Sequence, residues 1–402
     1  MATATSNQKR RNASIDILRI AAMLGIILFH HFGTKVPNAF ASLPSGFAHD
    51  AYYYDVISNA TGCVQKLSLI MDFCYGHFGN GCNFIFMLVT GYFLFGRSLT
   101  IRKRTKSVVK VILALVFYGV LLTIINFAML AFIRPQVESM PTNLVFTLPN
   151  WLSGENMWYL QAYGIFILIV LPLLKLFEDK LTREIHGCVC IALVCIHLLA
   201  YQTYLPNLPL SGKLVYFIMC YYIGGYVKTH GVRLSLKQLV GLLAAYVIAY
   251  LCYEYYWRYS NMVLHAPHEY SYIKVMQPFI CCIAFSFLCF AIATKIHLTP
   301  REGVSKALGS VADTTIGIYI FHFNTVGFSF IIANKYWWHD WSTKGFFLCS
   351  IIDTLLLFAI SCIIELLRQR LMAFIHSRRQ RKLAPTSQEE RAGQAPNTVV
   401  SE

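Results

Sequence analysis

The chain has 402 residues, of which 56% are hydrophobic and only 13% charged, and its mean hydropathy is +0.53. These values exclude an ordinary soluble domain and point to a multispanning membrane protein. The formal net charge of +15 would suit a polyanion partner if the cations were clustered, but they are divided among short loops and a tail, so a nucleic-acid reading is unnecessary.

Residues 1–14 form a basic amino terminus with Lys9, Arg10 and Arg11. The first apolar segment, Ile15 to Phe32, carries Asp16, Arg19, His30 and His31 at membrane length. It is too long for a signal-peptide core and lacks a small-residue cleavage site, so it is expected to remain as a spanning helix. A charge near the bilayer centre costs about 2.5–3.5 kcal/mol on insertion scales, so these residues call for a role. At about 100° per residue Arg19 and His30 fall within roughly 20° of one face, separated by about 16 Å of helical rise; His31 points about 100° further round. Snorkelling by Arg19 and a helix–helix hydrogen bond by His30 are the structural alternatives.

Apolar runs of spanning length recur at 78–96, 108–132, 158–177, 185–201, 212–227, 238–256, 273–294, 310–333 and 345–367, which with 15–32 makes ten. With a cytoplasmic amino terminus, the inner segments hold 25 of the 34 lysines and arginines and the outer ones eight, Arg19 being intramembrane. This asymmetry predicts an all-α polytopic membrane helix bundle of about ten transmembrane helices with both termini cytoplasmic. The expected organisation is a basic terminus over 1–14, a membrane domain over 15–370 and a basic, then disordered, cytoplasmic tail over 371–402.

Between the first two runs, 34–77 reads as the longest outer connection, with Tyr52, Tyr53 and Tyr54; it suits either a plain loop or a lid. Cys63 and Cys74 fall within it and could bridge. Most of the thirteen cysteines lie inside apolar runs with no CxxC pair and read as packing residues, so no metal site is expected. Gly79-Asn80-Gly81 is not a nucleotide fingerprint, because Phe84 occupies the third glycine position.

Five motifs, in order, resemble those of acyltransferase family 3, integral-membrane enzymes that decorate bacterial surface glycans. Ser14-Ile-Asp16-Ile-Leu-Arg19 followed by His30 resembles the family's opening signature, including the arginine-to-histidine spacing. Asn83-Phe-Ile-Phe-Met-Leu-Val-Thr90-Gly91-Tyr92 is similar to its second-helix box, with Thr90 where serine is usual. Met157-Trp158-Tyr159-Leu160 with Leu171-Pro172-Leu173 resembles a third, although Asn156 stands near the place of a frequent histidine. Tyr222-Ile-Gly224-Gly225-Tyr226 and Ile316-Gly-Ile-Tyr319-Ile-Phe-His322-Phe-Asn324 resemble the fourth and fifth. The family's R-x-x-R pair after the second helix is missing: Arg104 is followed three on by Ser107, and Lys103 with Lys106 is the nearest basic pair.

The resemblance implies an O-acyltransferase that uses cytoplasmic acetyl-CoA to acetylate a surface polysaccharide or its lipid-linked precursor, in a bacterial cell membrane. An imidazole is suited to remove a sugar hydroxyl proton at neutral pH, which makes His30 the candidate base, with His322 and Tyr319 as further catalytic candidates. Arg19, Lys103, Arg104 and Lys106 are candidates for the donor's phosphates, with Asp16 holding Arg19 as a helical neighbour or simply favouring the helix start. Asn83, Thr90, Trp158 and Asn324 are candidates for the substrate path, Trp158 equally for an interfacial belt. The competing classes are a polysaccharide or small-molecule transporter, whose intramembrane charges would form a relay, and a non-catalytic scaffold.

Overall fold

The computed structural model describes residues 12–39, 63–132, 157–202, 211–264, 270–322 and 343–383. In hydrocarbon every backbone polar group must be satisfied within the chain, which favours helices over open strands. All regular structure among the described residues is helical. The elements are α1 (Ala13–Ala39), α2 (Cys63–Leu94), α3 (Ile101–Phe132), α4 (Trp158–Ile165), a π-helical turn (Phe166–Val170), α5 (Leu171–Glu178), α6 (Arg183–Gln202), α7 (Ser211–His230), α8 (Leu236–Leu264), α9 (Tyr270–Lys295), α10 (Glu302–Asp313), α11 (315–322) and α12 (Thr343–Leu383).

Helices lie under the described part of each of the ten apolar stretches. Five helices among the described residues are long and apolar enough to cross a membrane: Ala13–His30, Ile101–Ile125, Trp158–Glu178, Leu236–Tyr253 and Ser350–Arg378. The outward faces of α3 and α12 expose Ile112, Val116, Val120, Ile124, Leu348, Leu356, Ile360 and Ile363. Apolar rows of this extent suit a lipid surface and not water.

Three local expectations change. The connection drawn over 34–77 is helical at both ends, α1 continuing to Ala39 and α2 starting at Cys63. Cys63 and Cys74 therefore share one helix at about 16 Å of rise, well beyond disulfide reach. The tyrosines at 52–54 lie outside the described residues. The 158–177 run contains a π turn just ahead of Pro172, which has no N–H to give to the carbonyl four residues back. The 310–333 run breaks at Thr314, where the hydroxyls of Thr314 and Thr315 bond the carbonyls of Val311 and Ala312 at 2.6 and 2.9 Å. Such back-bonding offers the backbone an alternative to a straight helix. Residues 323–333 lie outside the described residues.

The centre of the bundle is α2, on which α1, α7, α8, α9 and α12 all pack. Glycines make the closest approach possible. A Cβ on Gly91 would stand 2.6 Å from the Tyr221 Cα of α7, and one on Gly224 would meet the Leu88 carbonyl and the Tyr92 amide of α2. The two helices thus cross backbone to backbone through the glycines of two separate sequence boxes. This close approach is the membrane-helix use of small residues.

Beyond the crossing, α2 ends at Gly96, whose φ of +64° suits the left-handed cap position. The last carbonyls are capped by lysines, Lys175 Nζ bonding Leu94 O at 2.7 Å and Lys228 Nζ bonding Phe95 O at 2.6 Å. Glu178 accepts the Gly96 amide at 2.9 Å. The ends of α2, α5 and α7 therefore gather in one place. At its own start α1 is capped by the Asn12 carboxamide, which accepts the amides of Ser14 and Ile15, and Ser14 Oγ ties this end to the Ile296 carbonyl beyond α9.

Candidate active site

The site rests on two helices that run side by side in the same sense. Arg19 Nη2 of α1 donates to Thr315 Oγ1 of α11 at 3.4 Å, and further along both helices the rings of His30 and His322 lie 5.3 Å apart. The rise from Arg19 to His30 is about 16 Å and that from Thr315 to His322 about 10 Å; the length of the arginine side chain absorbs the difference. On α11 the residues Thr315, Tyr319 and His322 follow the i, i+4, i+7 stripe of one face.

Arg19 sits among three partners. Its guanidinium reaches the carboxylates of Asp16 and Asp313, both at 3.5 Å, and the Thr315 hydroxyl. The Asp16 side chain is only 6% exposed whereas that of Asp313 is 50% exposed, so one carboxylate is sealed with the arginine and the other opens outward. These contacts are long, and they orient the guanidinium without saturating its five donors.

Against this arginine lies a cavity of about 280 Å³, walled by Met23, Asn83, Phe86, Thr90, Tyr159, Tyr163, Thr315 and Tyr319 among others. It is mostly aromatic and apolar, with a cation at one end. The Asn83 amide donates to the Gly79 carbonyl at 2.9 Å, which fixes its orientation, and Asn83 Oδ1 has no partner among the described residues. Thr90 Oγ1 is committed to the Phe86 carbonyl at 2.8 Å.

Tyr159 and Tyr319 meet with ring centroids 5.6 Å apart, and Tyr319 in turn packs edge-on against His322 at 5.7 Å. The histidine pair therefore lies just behind the tyrosine wall. His322 is fully buried, and its Nδ1 faces the Ile318 carbonyl at 3.0 Å. A carbonyl only accepts, so Nδ1 carries the proton and Nε2 is the basic nitrogen. His30 is half-buried and also packs edge-on against Phe29 at 5.0 Å.

A family model described as an acyltransferase domain, acyltransferase family 3, matches residues 12–367. The chain belongs to acyltransferase family 3. Comparison with curated proteins and with solved structures gives no match.

The family 3 boxes divide into two kinds once folded. Arg19 and Met23 from the first, Asn83 and Thr90 from the second, Tyr159 and Leu160 from the third and Ile316 and Tyr319 from the fifth line one cavity. Gly91 and Gly224 of the second and fourth boxes form the α2–α7 crossing instead. The basic cluster opens α3, with Lys103 and Lys106 exposed and Arg104 half-buried. None of the three lines the cavity, but Ser107, one turn beyond Arg104, is bonded to the cavity-wall Tyr163 hydroxyl at 3.2 Å. Arg104 Nε is buried with no partner among the described residues. Trp158 begins α4 with the Lys213 amine 4.3 Å from its ring centroid and does not line the cavity. Asn324, Asn156 and the His31 side chain lie outside the described residues. Among the described residues no three His, Cys, Asp or Glu groups are placed to hold a metal.

Sequence reasoning missed Asp313, Thr315 and Tyr163, and gave Tyr159 only as a member of the third motif, without a role in the site. Asp313 and Thr315 carried a signal, being polar residues at the start of an apolar run. Tyr159 and Tyr163 are single aromatics in an aromatic-rich chain, and only the packing of α4 against α7 and α11 selects them.

Proposed function

We propose that this acyltransferase is a ten-span enzyme of a bacterial cell membrane, with both termini cytoplasmic, that moves an acetyl group from acetyl-CoA to a sugar hydroxyl of a surface polysaccharide or its lipid-linked precursor. The observation that carries the reading is the α1–α11 frame, which puts a cation and a small cavity at one end and two imidazoles at the other. A cavity of about 280 Å³ falls just under the ~300–1,000 Å³ of whole-ligand pockets. It suits the narrow thioester arm of the donor, with the nucleotide left outside at the cytoplasmic end.

In this reading Arg19 meets an anionic or carbonyl group of the donor as it enters, with Asp16 and Asp313 orienting its fork. Arg104, whose buried Nε lacks a partner, and the exposed Lys103 and Lys106 supply cations for phosphates on the same side. The acetyl thioester passes Asn83 and Thr90 to the Tyr159–Tyr319 wall. Beyond it His30 removes the proton from the acceptor hydroxyl, whose oxygen attacks the thioester carbonyl carbon. The carbon–sulfur bond breaks, and the leaving CoA thiolate takes the proton back from the imidazolium. His322, its tautomer set by the Ile318 carbonyl, holds His30 in place, and the Tyr319 hydroxyl donates to the oxyanion of the tetrahedral intermediate.

The test is acetyl incorporation from radiolabelled acetyl-CoA into membrane glycan. His30→Ala is expected to lower it by about 10²–10⁴, the usual worth of a positioned base. Unchanged incorporation by that variant would remove the mechanism, and no incorporation by the wild type with any acyl-CoA would remove the function.

A further inference from the structure

The frame that carries the site has a backing made around one buried carboxylate, Glu365 of α12, which is 2% exposed. Four donors converge on it. Tyr118 Oη of α3 bonds Oε2 at 2.7 Å; Arg368 bonds both oxygens, Nε to Oε2 at 2.7 Å and Nη2 to Oε1 at 2.6 Å; Gln369 Nε2 bonds Oε1 at 2.9 Å. The carboxylate is thereby fully satisfied, and none of these groups lines the Arg19 cavity.

The node touches the site helix from behind. Gly317 of α11 lies directly against Glu365, so that a Cβ added there would overlap the carboxylate. At about 100° per residue Gly317 is some 200° round from both Thr315 and Tyr319, on the back of the stripe that holds the cavity wall. Gln369 also donates to the Asp313 carbonyl at 3.3 Å, in the turn that presents the Asp313 carboxylate to Arg19. One carboxylate thus sets how far α11 can sink into the bundle, and one of its donors holds the turn in front of α11.

We propose that Glu365 is a positioning residue: through Gly317 and Gln369 it fixes the depth of α11, and with it the placing of Tyr319 and His322 against His30 and of Thr315 against Arg19. The proposal rests on the acyltransferase reading for its activity assay, and a distance measurement frees it from that assay.

The decisive comparison is a size swap at the contact. Gly317→Ala inserts a methyl group between α11 and the carboxylate, and is expected to cut kcat about tenfold with a smaller change in KM for the donor. Glu365→Asp withdraws the carboxylate by one methylene, and in the Gly317→Ala background it is expected to restore most of the lost kcat. Spin labels at the exposed positions 17 of α1 and 316 of α11, in protein kept apart from the kinetic assays because 316 lines the cavity, report the α1–α11 distance: it is expected to shift in Gly317→Ala and return in the double variant. Additive losses in kcat and no distance change would overturn the proposal. A distance that shifts and returns while wild-type protein transfers no acyl group would leave the positioning intact and remove only the acyltransferase reading. If Gly317→Ala does not fold, Gln369→Leu, which cuts the tie to Asp313 and removes one of the four bonds to Glu365, must still shift the distance or the proposal fails.

Discussion

The glycine crossing between α2 and α7 gives the sharpest test of the fold, because a single methyl group can be placed where its cost has a known sign. A Cβ on Gly91 would sit 2.6 Å from the Tyr221 Cα and 2.7 Å from the Cys220 carbonyl. Carbon contacts are comfortable at about 3.5–4.0 Å, so the helices must part by roughly 1 Å over a crossing where backbone cannot yield as a side chain can. Overpacking of this kind costs about 1–3 kcal/mol, against which the better helix propensity of alanine returns up to about 1 kcal/mol. The net expectation for Gly91→Ala is a loss of about 1–2 kcal/mol, with reduced activity because Thr90, Phe93 and Leu94 on the same helix line the cavity. Gly241 on α8 is the internal control: nothing lies within 4 Å of its added Cβ, so Gly241→Ala is expected to be neutral or to gain up to about 1 kcal/mol. Thermal denaturation of detergent-solubilised protein measures both. A Gly91→Ala protein as stable as wild type, or an equal loss at both positions, would refute the crossing.

Arg19→Lys keeps the charge but loses the fork that spans two carboxylates and a hydroxyl; losing one charge-assisted bond of about 1.5–3 kcal/mol predicts a rise of tenfold or more in KM for the proposed donor, acetyl-CoA, with kcat less affected, read from initial rates. Arg368→Met leaves the Glu365 carboxylate buried beside Tyr118 without its cation, and such broken pairs cost about 3–5 kcal/mol; the expected outcome is a large fall in melting temperature, and a small one would show that water reaches the node. His322→Phe keeps an aromatic ring but removes the basic nitrogen behind Tyr319 and crowds a fully buried site, and is expected to lower kcat together with a stability loss of about 1–3 kcal/mol. Cys63 and Cys74 are expected to label separately with a thiol reagent in denatured, unreduced protein, since one helix keeps them apart.

Residue order alone determined the chemical class of this chain. Its long unbroken apolar runs demanded helices, because in hydrocarbon such a run satisfies its backbone groups within itself only as a helix, and the spacing of Arg19 and His30 put both on one face of α1. Those are local properties, set by composition and by the 3.6-residue turn. What faces them is not local. That Arg19 meets Asp313 and Thr315, nearly 300 residues on, and that His30 meets His322, follows from α11 packing parallel to α1, which no periodicity records. The motif boxes show the same division. Thr90-Gly91 and Gly224-Gly225 read in the sequence as parts of one functional signature, yet their glycines serve a helix crossing, because a backbone-to-backbone contact requires the absent Cβ on both sides. Glu365 was invisible as a single carboxylate in an apolar run. Only the convergence of Tyr118, Arg368, Gln369 and Gly317 from three helices makes it the back wall of the site, since burying its charge requires partners that the fold alone can assemble.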